Sequence, residues 1–161
     1  PMPVAVSDNK GEEVLYAPLD GQVITLEEVN DPVFASGAMG QGFAVIPSDN
    51  AVYSPVDGQV EVAFETGHAF AIRSNQGAEL LIHIGIDTVS MAGTGFKSKV
   101  TAGQHVKKGD LLGEFESAKI KEAGLEDTTM VILTNASDYQ SIRIQAEGNL
   151  SVGQDIMTLH R

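Results

Sequence analysis

The chain is predicted to be all-β: an antiparallel β-sandwich or barrel with an internally duplicated motif and very little helix. Three observations predict this. The 161 residues include 17 glycines and 6 prolines, which punctuate many short apolar runs and suit tight turns better than helices. Several of those runs alternate in the two-residue period of a half-buried strand. And two turn motifs recur. Pro18-Leu19-Asp20-Gly21 returns as Pro55-Val56-Asp57-Gly58, each followed by Gln-Val, and Gly103 to Leu111 resembles Gly148 to Ile156. Paired motifs of this kind point to a duplicated β architecture.

In order, residues 1–12 read as a polar, flexible N-terminal segment, and 13–161 as a single domain. The chain opens Pro1-Met2-Pro3, as a processed or excised polypeptide would. Glu13 to Pro18 reads as a first strand, ended by its Pro-Leu-Asp-Gly turn. Ala38-Met39-Gly40-Gln41-Gly42 reads as a glycine-rich loop entering a buried strand that ends at Pro47. It lacks the helix and the Lys-Ser/Thr of a phosphate-binding loop. Ser117 to Ala123 is the best helical candidate. Met130 to Thr134 and Ser141 to Gln145 read as strands.

The core should be aliphatic, because aromatics are 6% of residues, Trp is absent, and hydrophobic residues make up 42%. Cysteine is absent, which excludes disulfides, thiolate nucleophiles and Cys-based metal sites and is compatible with the cytoplasm. A formal net charge of −12 argues against nucleic acid and anionic membrane surfaces as partners and favours a partner presenting Lys or Arg. No apolar run reaches the length of a membrane span, and the N-terminus lacks a signal-peptide pattern.

The stretch that carries chemistry is Phe64 to Val89. Leu80, Ile82, Ile84 and Ile86 fall on one face of a strand, with Leu81, His83, Gly85 and Asp87 on the other. His68 to Arg73 reads as its partner strand, joined by Ser74-Asn75-Gln76-Gly77. With Asn75 and Gln76 at the loop tip, His68 faces His83, Phe70 faces Leu81, Ala69 faces Ile82 and Ala71 faces Leu80. Opposed side chains have Cβ atoms about 4.5–5.5 Å apart, so the two imidazoles would share one apolar-bordered patch. A slip of one residue would place them on different faces.

Lone histidines in β proteins are mostly packed or surface residues, and His105 and His160 are read that way. An opposed pair admits three uses. It would ligate a metal with help from Asp87 or Glu65, form an acid–base pair, or supply a nucleophile that accepts a phosphoryl group while its partner stabilises the charge. The third uses the most features. Thr66 adds a hydroxyl at the same end of the hairpin, and an apolar rim would keep water from a labile phosphohistidine.

Gly77-Ala78-Glu79-Leu80-Leu81-Ile82-His83-Ile84-Gly85-Ile86-Asp87-Thr88-Val89 resembles the phosphohistidine signature of the glucose-type enzyme IIA family of the bacterial phosphoenolpyruvate-dependent sugar phosphotransferase system. Phe64-Glu65-Thr66-Gly67-His68-Ala69-Phe70 matches that family's second-histidine segment, and the resemblance runs from about Gly11 to Leu159. It implies a β-sandwich phosphocarrier that takes a phosphoryl group from the carrier protein HPr and passes it to a cysteine on the IIB domain of a sugar permease. By matching positions, His83 would be the acceptor through Nε2, with a backbone carbonyl holding its Nδ1 proton. His68 would bind the phosphoryl oxygens, and Thr66 would orient His68. Phe34, Ala38, Met39, Phe64 and Val89 correspond to the apolar patch on which partners dock, with Asp31 and Asp87 at its rim. No metal or other cofactor is implied. The domain would be cytoplasmic, either free or as part of a membrane-bound enzyme II. Two departures stand out: Gly67 where a larger polar residue is usual, and Ala38 where a larger apolar one is.

Two alternatives compete. Val106 to Lys119 resembles the region around the modified lysine of lipoyl and biotinyl carrier domains, which would put a cofactor arm on Lys119. Against it stand Ala118 before that lysine, a chain about twice the usual domain length, and an unused histidine hairpin. The other alternative is a phosphorylation-controlled regulator whose apolar patch binds partners only while His83 is unmodified.

Overall fold

The structure is a computed structural model and describes residues 11–161. The expected flexible segment therefore lies almost wholly outside the described residues, although Glu12 is already in a strand. The strands are β1 (Glu12–Tyr16), β2 (Gly21–Thr25), β3 (Gln41–Pro47), β4 (Ala51–Tyr53), β5 (Gly58–Ala63), β6 (Ala69–Ser74) and β7 (Glu79–Ile84). They continue as β8 (Phe96–Ser98), β9 (His105–Val106), β10 (Leu111–Phe115), β11 (Thr129–Leu133), β12 (Ser141–Ile144), β13 (Asn149–Leu150) and β14 (Asp155–His160). Two short helices, α1 (Pro32–Ala35) and α2 (Ser117–Glu122), and three 3₁₀ turns complete the order.

An eight-stranded sheet runs β13-β2-β3-β11-β7-β6-β5-β9, and two three-stranded sheets run β1-β14-β12 and β4-β10-β8. Leu15, Val52, Leu112, Phe115, Ile156 and Leu159 of the small sheets pack against Phe43, Val60, Phe70, Ile72, Leu80, Ile82, Ile84 and Val131 of the large one. That interleaving of two inner faces makes a sandwich. A second cluster of Leu26, Val29, Phe34, Ala44, Ile86, Met130 and Ile132 covers part of the large sheet's outer face.

The strand orders are palindromic, so the whole architecture is duplicated. β1 to β3 correspond to β4 to β6, and β7 to β10 correspond to β11 to β14. The recurring turns carry this symmetry. Gly21 and Gly58 each open a strand pressed on its neighbour's backbone, where a Cβ would meet the Ile46 and Arg73 carbonyl oxygens at 2.2 and 2.1 Å. The Asp20 and Asp57 carboxylates each accept a loop N–H at 2.8 Å, from Val152 and Lys108. The Tyr16 N–H donates to Pro55, and the Tyr53 N–H donates to Pro18. Glycine and aspartate are thus required by close approach and by turn capping, not by generic turn usage.

One expectation fails in detail. In the β6–β7 hairpin, Ala69 faces His83, Phe70 faces Ile82, Ala71 faces Leu81 and Arg73 faces Glu79. The register is one residue away from the expected one. The cause is the turn. The Ser74 N–H donates to the Ala78 carbonyl, and Gly77 has φ +102°. The loop therefore takes three residues, 75–77, with the positive φ at its last position rather than a two-residue tip. Phe70 accordingly points into the sandwich core, and the borders of the histidine pair come from elsewhere.

Lys119 lies on α2 and pairs with Glu116 at 3.6 Å. It is not at a hairpin tip, so the swinging-arm reading is set aside. No helix among the described residues is long and apolar enough to cross a membrane.

Candidate functional site

His68 and His83 meet despite the shifted register. Their ring centroids are 4.9 Å apart, with the planes at 84°. His83 sits at the penultimate position of β7, on the outer sheet face. His68 precedes the first residue of β6, so strand alternation does not dictate its side-chain direction. Gly67, at φ +72°, turns the chain just before it. A side chain at 67 would press on the Phe96 Cβ at 3.0 Å. Gly67 thus lets Phe96 close in behind His68, at 6.4 Å between ring centroids.

Three aromatic rings wall the pair. Phe34 lies 5.1 Å from the His83 ring, and Phe64 lies 5.4 Å from the His68 ring. His68 is only 3% exposed. Its Nδ1 is 2.5 Å from the Thr66 hydroxyl. Burial, and the neighbouring His83, push the His68 imidazolium pKa down to about 4. Burial also lowers that of His83, opposed by the Gly85 carbonyl and by Asp31 and Asp87. Both rings are therefore neutral at pH 7, and a neutral imidazole is a nucleophile where an imidazolium is not.

The carbonyl on His83 belongs to Gly85, whose oxygen lies 2.9 Å from Nδ1. Gly85 has φ +81°, the turn that folds its carbonyl back onto the ring two residues earlier. With Nδ1–H donating to that carbonyl, Nε2 is left with its lone pair free.

The expected patch residues differ in exposure. Ala38, Met39, Phe64 and Val89 are exposed, whereas Phe34 is 7% exposed and lies beneath the surface against His83. Asp31 caps α1 by accepting the Val33 N–H at 2.9 Å. Asp87 is exposed in the left-handed region at φ 60°. Sequence reasoning missed Val33, which is 53% exposed and adjoins Phe34 on the Asp-Pro-capped turn. That cap was the available signal. It also missed Phe96, whose approach depends on long-range pairing and leaves no local trace.

Residues 13–139 match the family model for the phosphoenolpyruvate-dependent sugar phosphotransferase system, EIIA 1. This chain belongs to that family. It is a phosphotransferase component and phosphocarrier of the sugar phosphotransferase system. The glucose-specific EIIA component of Bacillus cereus is 45% identical over 132 residues, covering 82% of this chain and 80% of that one. The β-glucoside-specific EIIBCA component of Dickeya chrysanthemi is 43% identical over 148 residues, covering 92% of this chain but 24% of that protein. This EIIA chain spans about a quarter of such longer relatives. Glucose permease IIA from Mycoplasma capricolum superposes with a TM-score of 0.85 at 36% identity, covering 91% of this chain and 95% of that one. EIIA-type chains therefore occur both as separate components and within larger ones.

Proposed function

We propose that His83 of this EIIA domain, spanning residues 13–161, accepts a phosphoryl group from phospho-HPr and passes it to the IIB cysteine of a sugar permease. The observation that carries this is the Gly85 carbonyl at 2.9 Å from His83 Nδ1, beside a second neutral imidazole. The Nε2 lone pair attacks phosphorus in line. The bond to the donor's imidazole nitrogen breaks, and its electron pair stays on that nitrogen. As positive charge develops on the His83 ring, the Nδ1–H···O=C hydrogen bond stabilises it.

His68 supplies the second interaction. With the Thr66 hydroxyl donating to Nδ1, the His68 proton stands on Nε2, available to a phosphoryl oxygen. Phe34, Phe64 and Phe96 exclude water, which protects the phosphoramidate from hydrolysis. The exposed Met39, Val33 and Val89 support an apolar docking surface for the partners. Asp31 and Asp87 at its edge favour a basic partner, which speeds and orients a transient encounter more than it tightens it. The longer relatives support a setting in which this domain works tethered to its permease on the cytoplasmic side, and the shorter ones support a free carrier. Onward transfer leaves His83 as the neutral imidazole it began as, so the cycle closes.

The test is incubation with phosphoenolpyruvate, enzyme I and HPr, followed by mass spectrometry for an acid-labile phosphoryl group. Wild type is expected to be labelled and His83→Ala is not. His68→Ala is expected to take the label but release it slowly to IIB. An unlabelled, folded wild type contradicts the proposal.

A further inference from the structure

We propose that Thr88 is a positioning residue that fixes the tautomer of His83 by holding the Ile84–Gly85 peptide in place; this rests on the reading of His83 as acceptor. Thr88 is fully buried although polar, and its hydroxyl donates to the Ile84 carbonyl at 2.5 Å. Its Cγ2 fills the space a Cβ on Gly85 would need, 2.3 Å from that point. One side chain therefore restrains the residue whose carbonyl meets His83 from two directions. The hydroxyl holds the peptide on the N-terminal side of Gly85, and the methyl blocks rotation of Gly85 toward the space its own missing side chain leaves.

The adjoining peptides also tie the two histidines together. The Ile84 N–H donates to the His68 carbonyl at 2.7 Å, while the Gly85 N–H donates to Thr128 at 3.0 Å. Without Thr88, the Ile84 carbonyl would be a buried acceptor lacking this partner. The peptide would then gain a reason to rotate, since a buried unpaired carbonyl is costly. Rotation would swing the Gly85 oxygen off Nδ1. The neutral ring would then exchange between its two tautomers, and only one of them presents the Nε2 lone pair.

Thr88→Val keeps the branched shape and removes the hydroxyl, while Thr88→Ser keeps the hydroxyl and removes the methyl. Long-range ¹H–¹⁵N spectra at neutral pH read the His83 tautomer directly, and phospho-HPr supplies the acceptance rate. Wild type and Thr88→Ser are expected to show Nδ1–H alone, with rates within about twofold of each other. Thr88→Val is expected to show averaged ring-nitrogen shifts and acceptance slowed by about tenfold. Wild-type spectra in folded Thr88→Val, or equal losses in both variants, would overturn the proposal. Should Thr88→Val not fold, Thr88→Ala, which loses both groups, decides in its place, because wild-type spectra in that variant would overturn the proposal. A wild type that takes no phosphoryl group contradicts the acceptor reading, while the spectra still decide the role of Thr88.

Discussion

The two halves of the duplicated sandwich share a backbone plan and differ in what they carry. Their correspondence can be followed residue by residue. Ala69 faces His83 on β6 and β7, and Gly42 faces Ile132 on β3 and β11. The Gly85 N–H donates to Thr128, and the Thr134 N–H donates to Glu79. His83 therefore corresponds to Ile132, His68 to Gln41 and Gly85 to Thr134. In one half these positions build a site. In the other, Ile132 is fully buried and Gln41 is exposed at the start of a strand.

The connections also differ. β5 reaches β6 through only Phe64 to His68, whereas β2 reaches β3 through residues 26–40, including α1. That longer connection folds over the outer face and lays Phe34 on His83. The lesson is physical: the scaffold is symmetric because turns and core patterning repeat, and the site arises where the symmetry is broken by a few polar residues and one inserted loop.

The comparison is broken most completely by His83→Ile, which gives the active half the residue of the silent half. Phosphoryl acceptance is expected to fall below detection while thermal unfolding changes little. Next comes His68→Gln, the counterpart of Gln41. It should leave His83 labelled but slow onward transfer to IIB by about 10²–10³, the range for losing one donor to a developing anion. Gly85→Ala is expected to cost about 2–3 kcal/mol in denaturant unfolding and to reduce acceptance as well. It combines a positive φ with contact against Thr88, whereas Thr134 carries a side chain at the equivalent position without such a clash. Asp20→Asn and Asp57→Asn sharpen the comparison at the smallest scale. Each should cost about 1 kcal/mol, nearly equally, with the activity of the folded protein unchanged.

Titration separates the halves as well. His68 has its pKa lowered to about 4 by burial, below that of an exposed histidine in the unfolded chain, about 6.5. The unfolded state therefore binds protons first as pH falls. The stability due to a neutral His68 is complete above about pH 6.5 and is lost progressively toward pH 4. Chemical denaturation across that window should show a steeper decline for wild type than for His68→Gln.

Much of this was legible in the sequence, for reasons specific to particular residues. The Pro-x-Asp-Gly pairs announced the duplication because glycine and aspartate there meet the same two demands in each half, close approach to a neighbouring strand and capping of a loop. His83 was legible because strand alternation is encoded within a few residues, whereas the resemblance implied a carbonyl on its Nδ1 without saying that Gly85 supplies it. The hairpin register was not. Ser74 to Gly77 accommodates a two- or a three-residue loop, and the choice is settled by what each face must bury: Phe70 and Ile82 together in the core. The pairing of His68 with His83 survived that slip because His68 stands outside the strand. Phe96 and the burial of Phe34 depend on contacts distant in sequence, which no local pattern records.

The central claim is that one imidazole, held by the Gly85 carbonyl, carries the phosphoryl group. Phosphorus and nitrogen NMR of the phosphorylated protein tests it most directly. The account predicts a single phosphorus coupled to Nε2 of His83, with the proton still on Nδ1. Phosphorus on Nδ1 of that ring, or on His68, would contradict it.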